Sequence, residues 1–118
     1  INYLIQVNTS REPQKSGIMP DKFKTFFDEI MKKEYKFCHF RGLMTIGPHT
    51  DDKNVIRKSF RQLYTFFEYC KDIMQKDTID TISMGMSNDY EIALEEGSTL
   101  IRIGTLIFGK RHYSHAVI

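Results

Sequence analysis

Apolar residues at helical spacing alternate along this chain with short strand-like runs, and that alternation narrows the fold more than any other feature. Phe23, Phe26, Phe27, Ile30 and Met31 share one face of a helix that opens at Pro20, with Asp21 near its start and Lys32 and Lys33 at its end. Ile56, Phe60, Leu63, Phe67, Cys70 and Met74 form the stripe of a longer helix over about 53–75, capped by Asp51 or Asp52. A third helix, Asn88 to Glu96, is closed by Gly97. Between them Tyr3–Asn8, Phe37–Ile46, Thr78–Met84 and Thr99–Ile103 read as strands, with Thr9–Met19 a loop and Gly47–Thr50 a turn. Strands alternating with helices pair in parallel through right-handed crossovers, so the class is α/β. No linker or low-complexity segment interrupts the pattern, and residues 1–118 are expected to lie in one domain.

Polar residues gather where the strands end. Gln6 and Asn8, Thr45, and Ser83 occupy three strand termini, and in parallel α/β folds ligands sit at the carboxyl ends of strands. Asn8 and Thr45 also suit a purely local role in satisfying loop amides. Two turns stand out, Ile82-Ser83-Met84-Gly85-Met86-Ser87 and Leu100-Ile101-Arg102-Ile103-Gly104-Thr105. Gly85 and Gly104 admit close backbone approach, and Ser87 and Thr105 add hydroxyls beside amide donors. A helical turn over 105–109 would add its unpaired N–H groups, and the pattern reads as a cradle for a phosphate.

Arg102 is the odd residue in its run. Side chains alternate along a strand, so Leu100 and Arg102 point one way and Ile101 and Ile103 the other. A permanent cation on an inward face is costly to bury alone; it meets either a ligand or a neighbouring carboxylate.

Composition excludes several classes. Net charge is only +2, with cations and acids interspersed, which argues against an extended nucleic-acid face. Lys110-Arg111-His112 is read as a solvated terminus. No apolar run approaches the roughly 18–20 residues of a membrane span, and no charged-then-apolar leader is visible. Cys38 and Cys70 lack metal-ligand spacing and lie among apolar residues, as reduced, buried thiols of a cytoplasmic protein do; a mitochondrial location is the alternative. His39 and His49 have no partner spacing for a metal or a catalytic triad, so no metal ligand and no catalytic residue is assigned.

The two turns carry a family resemblance. Ser83-Met84-Gly85-Met86-Ser87-Asn88-Asp89, then Glu96 through Thr105, then Ile107-Phe108-Gly109-Lys110-Arg111 resemble the pyridoxal phosphate homeostasis family (YggS/PROSC type). Gln6-Val7-Asn8-Thr9-Ser10 with Glu12, Lys15, Ser16 and Gly17 is similar to that family's fifth strand and loop, and Arg41 to Ile46 to its sixth. The resemblance implies an alanine-racemase-like (β/α)8 TIM barrel that binds pyridoxal 5′-phosphate (PLP), of which this chain is the C-terminal half with about four βα units. It also implies that Met86, Ser87, Gly104 and Thr105 hold the cofactor phosphate and that Arg102 faces the pyridine nitrogen. The Schiff-base lysine of the family's first strand has no counterpart here, which leaves the site incomplete; Lys53, Lys71 and Lys76 are poor substitutes.

The functional expectation is therefore an intracellular PLP carrier or regulator rather than a catalyst. Four βα units are half of a barrel of about 250 residues, so the chain is read as beginning in mid-fold. Its partner is then the missing N-terminal half or a second copy of this half. A PLP-dependent racemase would need a second acid/base, for which Tyr90 and Tyr113 are the available residues. A generic phosphate-ligand domain with a complete, flavodoxin-like open sheet is the remaining alternative.

Overall fold

The computed structural model describes residues 1–33 and 35–104. Its elements are β1 (Asn2–Gln6), α1 (Pro20–Met31), β2 (His39–Met44), α2 (Lys53–Met74), β3 (Thr81–Met86), α3 (Tyr90–Glu95) and β4 (Leu100–Arg102). All neighbouring strands are parallel, and their spatial order is β1-β2-β3-β4. A flavodoxin-like sheet reverses its order partway; this one never does. Because crossovers of this kind are right-handed as a rule, a sequential order puts the helices on one face, which is the winding of a barrel rather than of an open doubly wound sheet.

The element boundaries differ from the expectations in instructive ways. Phe37 and Cys38 precede β2 rather than opening it; Phe37 is 74% exposed and Cys38 is exposed too, contrary to the buried thiol expected. Strand β3 starts at Thr81 instead of Thr78, because Arg41 donates to the Thr78 carbonyl and pairs with Asp80, holding 78–80 as a polar lead-in. Asp52 is the cap of α2, its Oδ1 accepting from the amides of Asn54 and Val55. Gly97, at φ +101, closes α3, and the Ser98 amide reaches back to the Ala93 carbonyl.

The core lies between the helices and one face of the sheet. Phe23, Phe27, Phe60 and Leu63 meet Leu43, Ile82 and Met84 there, all fully buried. The aromatic rings interlock, with centroids 4.6 Å apart for Phe23–Phe66 and 5.3 Å for Phe27–Phe40. Cys70 sits inside this cluster, and burial pushes its thiol up to about 12. Phe26 does not share the burial of its neighbours; it is half-buried and, with Tyr3, Leu4, Ile18 and Ile30, lines a groove of about 300 Å³ along β1. Phe27→Ala is accordingly expected to cost about 3–5 kcal/mol of stability and Phe26→Ala no more than about 2 kcal/mol, read from urea unfolding. Equal losses would put both rings in the core.

Among the described residues no helix is long and apolar enough to cross a membrane, and no group of His, Cys, Asp and Glu is arranged to hold a metal ion.

Candidate functional site

Strand β3 runs directly into the turn that carries Ser87. The Asp89 amide donates to the Met86 carbonyl at 3.2 Å, and the Asp89 side chain returns to accept the Met86 amide at 2.8 Å. The turn is thus tied at both ends, with Ser87 and Asn88 at its tip. No hydrogen bond is made by the Ser87 hydroxyl or by the Ser87 and Asn88 amides among the described residues. The Met86 N–H, by contrast, is already engaged.

Gly85 supports this turn from behind. Its φ is +105, and a Cβ there would lie 2.6 Å from Cβ of Ala93 and 3.2 Å from both Ile101 Cγ2 and Tyr90 Cα. The residue is glycine because α3 and β4 close directly over it, not because a ligand needs the space.

Arg102 lies beside this turn. It pairs with Met86 in the β3–β4 register, so the two corners singled out in the sequence are adjacent in the sheet. Ile101 faces Gly85 and α3, which turns Arg102 to the face away from the helices. The residue is 8% exposed. One guanidinium nitrogen, Nη2, donates to the Thr45 carbonyl at 2.8 Å, while Nε is buried with no partner among the described residues. No carboxylate forms an ion pair with it among those residues. Burial pulls its pKa below the usual arginine value, and the charge of Asp89 works in the opposite direction. Gly104, two residues on, is buried. Thr105, the helical turn over 105–109, Lys110-Arg111-His112 and Tyr113 lie outside the described residues.

The loops after β1 and β2 close the adjacent part of the mouth. Glu12 pairs with Lys15 at 2.8 Å and accepts the His49 amide at 3.1 Å, and Lys15 also donates to the Gly47 carbonyl. The hydrogen bond from Lys15, reinforced by the His49 amide, holds the Glu12 carboxyl below its ordinary range. Gly47 makes room for Asp89, whose Oδ2 would stand 2.7 Å from a Cβ at that position. Asn8 donates to the carbonyls of Glu12 and Lys15, and Gln6 to that of Ser16, so these two residues fasten the first loop. Thr45 takes part through its backbone, by receiving Arg102; its hydroxyl donates to the Val7 carbonyl.

Sequence reasoning did not identify the role of Asp89. The signal was Asp89 three residues after Met86, a spacing that lets a short carboxylate return to the backbone.

No protein-family model matches the chain. Curated relatives do: a pyridoxal phosphate homeostasis protein of Pasteurella multocida is 43% identical over 114 residues, which is 97% of this chain and 48% of the relative. Over nearly its whole length the chain is homologous to pyridoxal phosphate homeostasis proteins. Its Vibrio cholerae relative of the same description is 44% identical over 115 residues, covering 97% of the chain and 47% of that protein. The chain therefore spans about half the length of the curated relatives it matches.

Solved structures agree with this homology. An unknown protein from Bifidobacterium adolescentis superposes with a TM-score of 0.83 at 36% identity, over 92% of this chain and 43% of that one. PipY of Synechococcus elongatus, in the structure with PLP bound, gives a TM-score of 0.76 at 29% identity over 92% of this chain and 49% of its own. Half-length coverage, four sequential parallel strands and helices between them are consistent with the C-terminal half of a (β/α)8 barrel in this family.

Proposed function

We propose that this chain forms the phosphate-holding and ring-facing wall of a PLP site in a protein of intracellular PLP homeostasis, one that carries or regulates the cofactor rather than turning over substrate. The observation that carries the reading is Arg102: a buried guanidinium with one hydrogen bond, an unpartnered Nε and no carboxylate ion pair among the described residues, set beside a turn whose serine is unbonded. A permanent cation in such a place calls for an acceptor that the described residues do not supply. The residues present fit PLP on these terms.

In this reading Ser87 and Gly104, with Met86 framing the turn and Thr105 completing it, hold the phosphate. Asp89 keeps the Met86 amide bonded, which leaves the amides of Ser87 and Asn88 at the tip as the donors on offer. PLP when bound supplies an aldehyde and an electron-withdrawing pyridine ring. Arg102, set against the ring nitrogen and unable to accept a proton, disfavours protonation there and so restrains carbanion chemistry. That is the property of a holder.

The remaining half of the barrel is the partner assigned to the sheet edges β1, bridged only at its C-terminal end by Ile18, and β4, which has no outer neighbour among the described residues, whether from the same polypeptide or from a second copy. Exposed Ile1 and Leu100, together with the groove beside β1, give it apolar surface to cover. The compartment assigned is the cytoplasm.

Ser87 gives the direct test in the assembled protein. Ser87→Ala is expected to weaken PLP by about tenfold, the worth of one hydrogen bond to a charged group, while pyridoxal, which lacks the phosphate, stays within about twofold. Binding followed by absorbance reads both. Equal weakening of the two ligands, or of neither, would remove Ser87 from the phosphate site.

A further inference from the structure

A second cavity, of about 430 Å³, lies between the loop after β1 and the first half of α2. It falls at the small end of the range for ligand pockets, about 300–1,000 Å³. Arg11 and Lys58 stand at its sides, and neither takes part in an ion pair among the described residues. The acid that follows Arg11 is already committed, since Glu12 is held by Lys15 and the His49 amide. Pro48 and Val55 supply an apolar wall.

The floor of the cavity has a hydrogen-bond polarity that can be worked out. Thr9 and Ser59 are each 4% exposed, and their hydroxyls are 2.8 Å apart; Thr9 lies 2.9 Å from the Thr45 hydroxyl. Thr45 donates its proton to the Val7 carbonyl, 2.7 Å away. Thr45 can therefore only accept from Thr9, and Thr9, its proton used, can only accept from Ser59. The row is a one-way relay, Ser59 to Thr9 to Thr45 to Val7. Its outer end, the Ser59 oxygen, has its proton committed to Thr9 and offers only lone pairs. A ligand on this floor must bring the hydrogen itself.

We propose that this cavity is a binding site for a small, doubly charged anion that carries a hydroxyl group, the anion set between Arg11 and Lys58 and the hydroxyl donated to Ser59. Gln62, at the same wall, can serve either part of such a molecule. A phosphate monoester of a polyol and a hydroxy-dicarboxylate share this chemistry. The inference does not rest on the PLP reading: Arg11, Lys58, Ser59 and Gln62 lie outside the Met86–Arg102 corner, and the two sites meet only at Thr45, whose hydroxyl ends the relay and whose carbonyl receives Arg102.

Titration of the full chain, uniformly labelled with nitrogen-15, tests it. Glycerol 3-phosphate and L-malate represent the two sources, sulfate a dianion without a carbon-borne hydroxyl, and glycerol the hydroxyl without charge. Saturable shifts are expected at the amides of Ser10, Arg11, Ser59 and Gln62 with glycerol 3-phosphate or malate, the tighter of the two naming the source. Glycerol should give none, and sulfate should bind at least about tenfold more weakly. Arg11→Asn combined with Lys58→Gln should weaken the binding by about tenfold or more; asparagine suits the left-handed backbone of Arg11, at φ +59, so the variant keeps its loop. Absence of saturation, undiminished binding by the double variant, or sulfate binding as tightly as the hydroxy anions would overturn the proposal. So would shifts confined to Met86, Ser87 and Gly104, which would report an anion at the other corner.

Discussion

Gly42→Ala is expected to prevent the sheet from forming. At φ +155 a Cβ on residue 42 would collide with the Thr81 carbonyl oxygen and lie 2.6 Å from its carbon, both backbone atoms of the next strand. Neither can swing aside as a side chain would. The cause is built into the pairing: β1 skips Arg41, matching Tyr3 with Phe40 and Leu4 with Gly42, and the resulting bulge presses β2 against β3 at the first pair of their ladder. Relief requires the two strands to separate where Gly42 meets Thr81. Overpacking in a core with side-chain freedom costs about 1–3 kcal/mol, and a backbone collision should exceed that, to about 5 kcal/mol or more. Such a loss is comparable to the whole stability of many domains, about 5–15 kcal/mol. Far-ultraviolet circular dichroism and urea unfolding measure it, and a loss below about 1 kcal/mol would mean that β2 and β3 are farther apart than described.

Arg102→Met should separate function from stability. Methionine fills similar space without a charge, so it removes the burial penalty that Arg102 bears while giving up its hydrogen bond to Thr45. These effects oppose each other, and without cofactor the variant is expected to unfold within about 1 kcal/mol of the parent or later than it. PLP affinity in the assembled protein should nevertheless fall by about tenfold or more, with an altered absorption band, if Arg102 is the donor set against the ring as proposed above. Urea midpoints without PLP and a PLP titration decide the matter. A large loss of stability with unchanged PLP affinity would make Arg102 a structural residue.

Local features of the chain were legible and distant ones were not. The faces of α1 and α2 follow from Phe23, Phe27, Phe60 and Leu63, because the helical period alone brings those residues to one side. Asp52 is legible as a cap for the same reason: its partners are two and three residues away. Strand limits were less so, since Phe37 has strand character yet lies outside the ladder and Thr78 is held by Arg41 from the neighbouring strand. At the site, Arg102 could be read as buried by alternation, but its contact with the Thr45 carbonyl spans 57 positions, and nothing local encodes it. Gly85 was legible as necessary and misread in purpose, because a glycine that admits a helix and one that admits a ligand look alike in sequence.

The clasp formed by Glu12, Lys15, Gly47 and His49 bears on how a bound molecule would leave. An ion pair within the first loop, Glu12 with Lys15, grips the backbone of the second at His49 and Gly47, so the two loops cannot swing independently; lifting one strains the grip on the other. Release on that side becomes a single concerted unclasping rather than the fluttering of separate flaps. Because the Glu12 carboxyl stays ionised to lower pH than an ordinary glutamate, this grip persists into mild acid and loosens only as the pH falls through that lowered pKa.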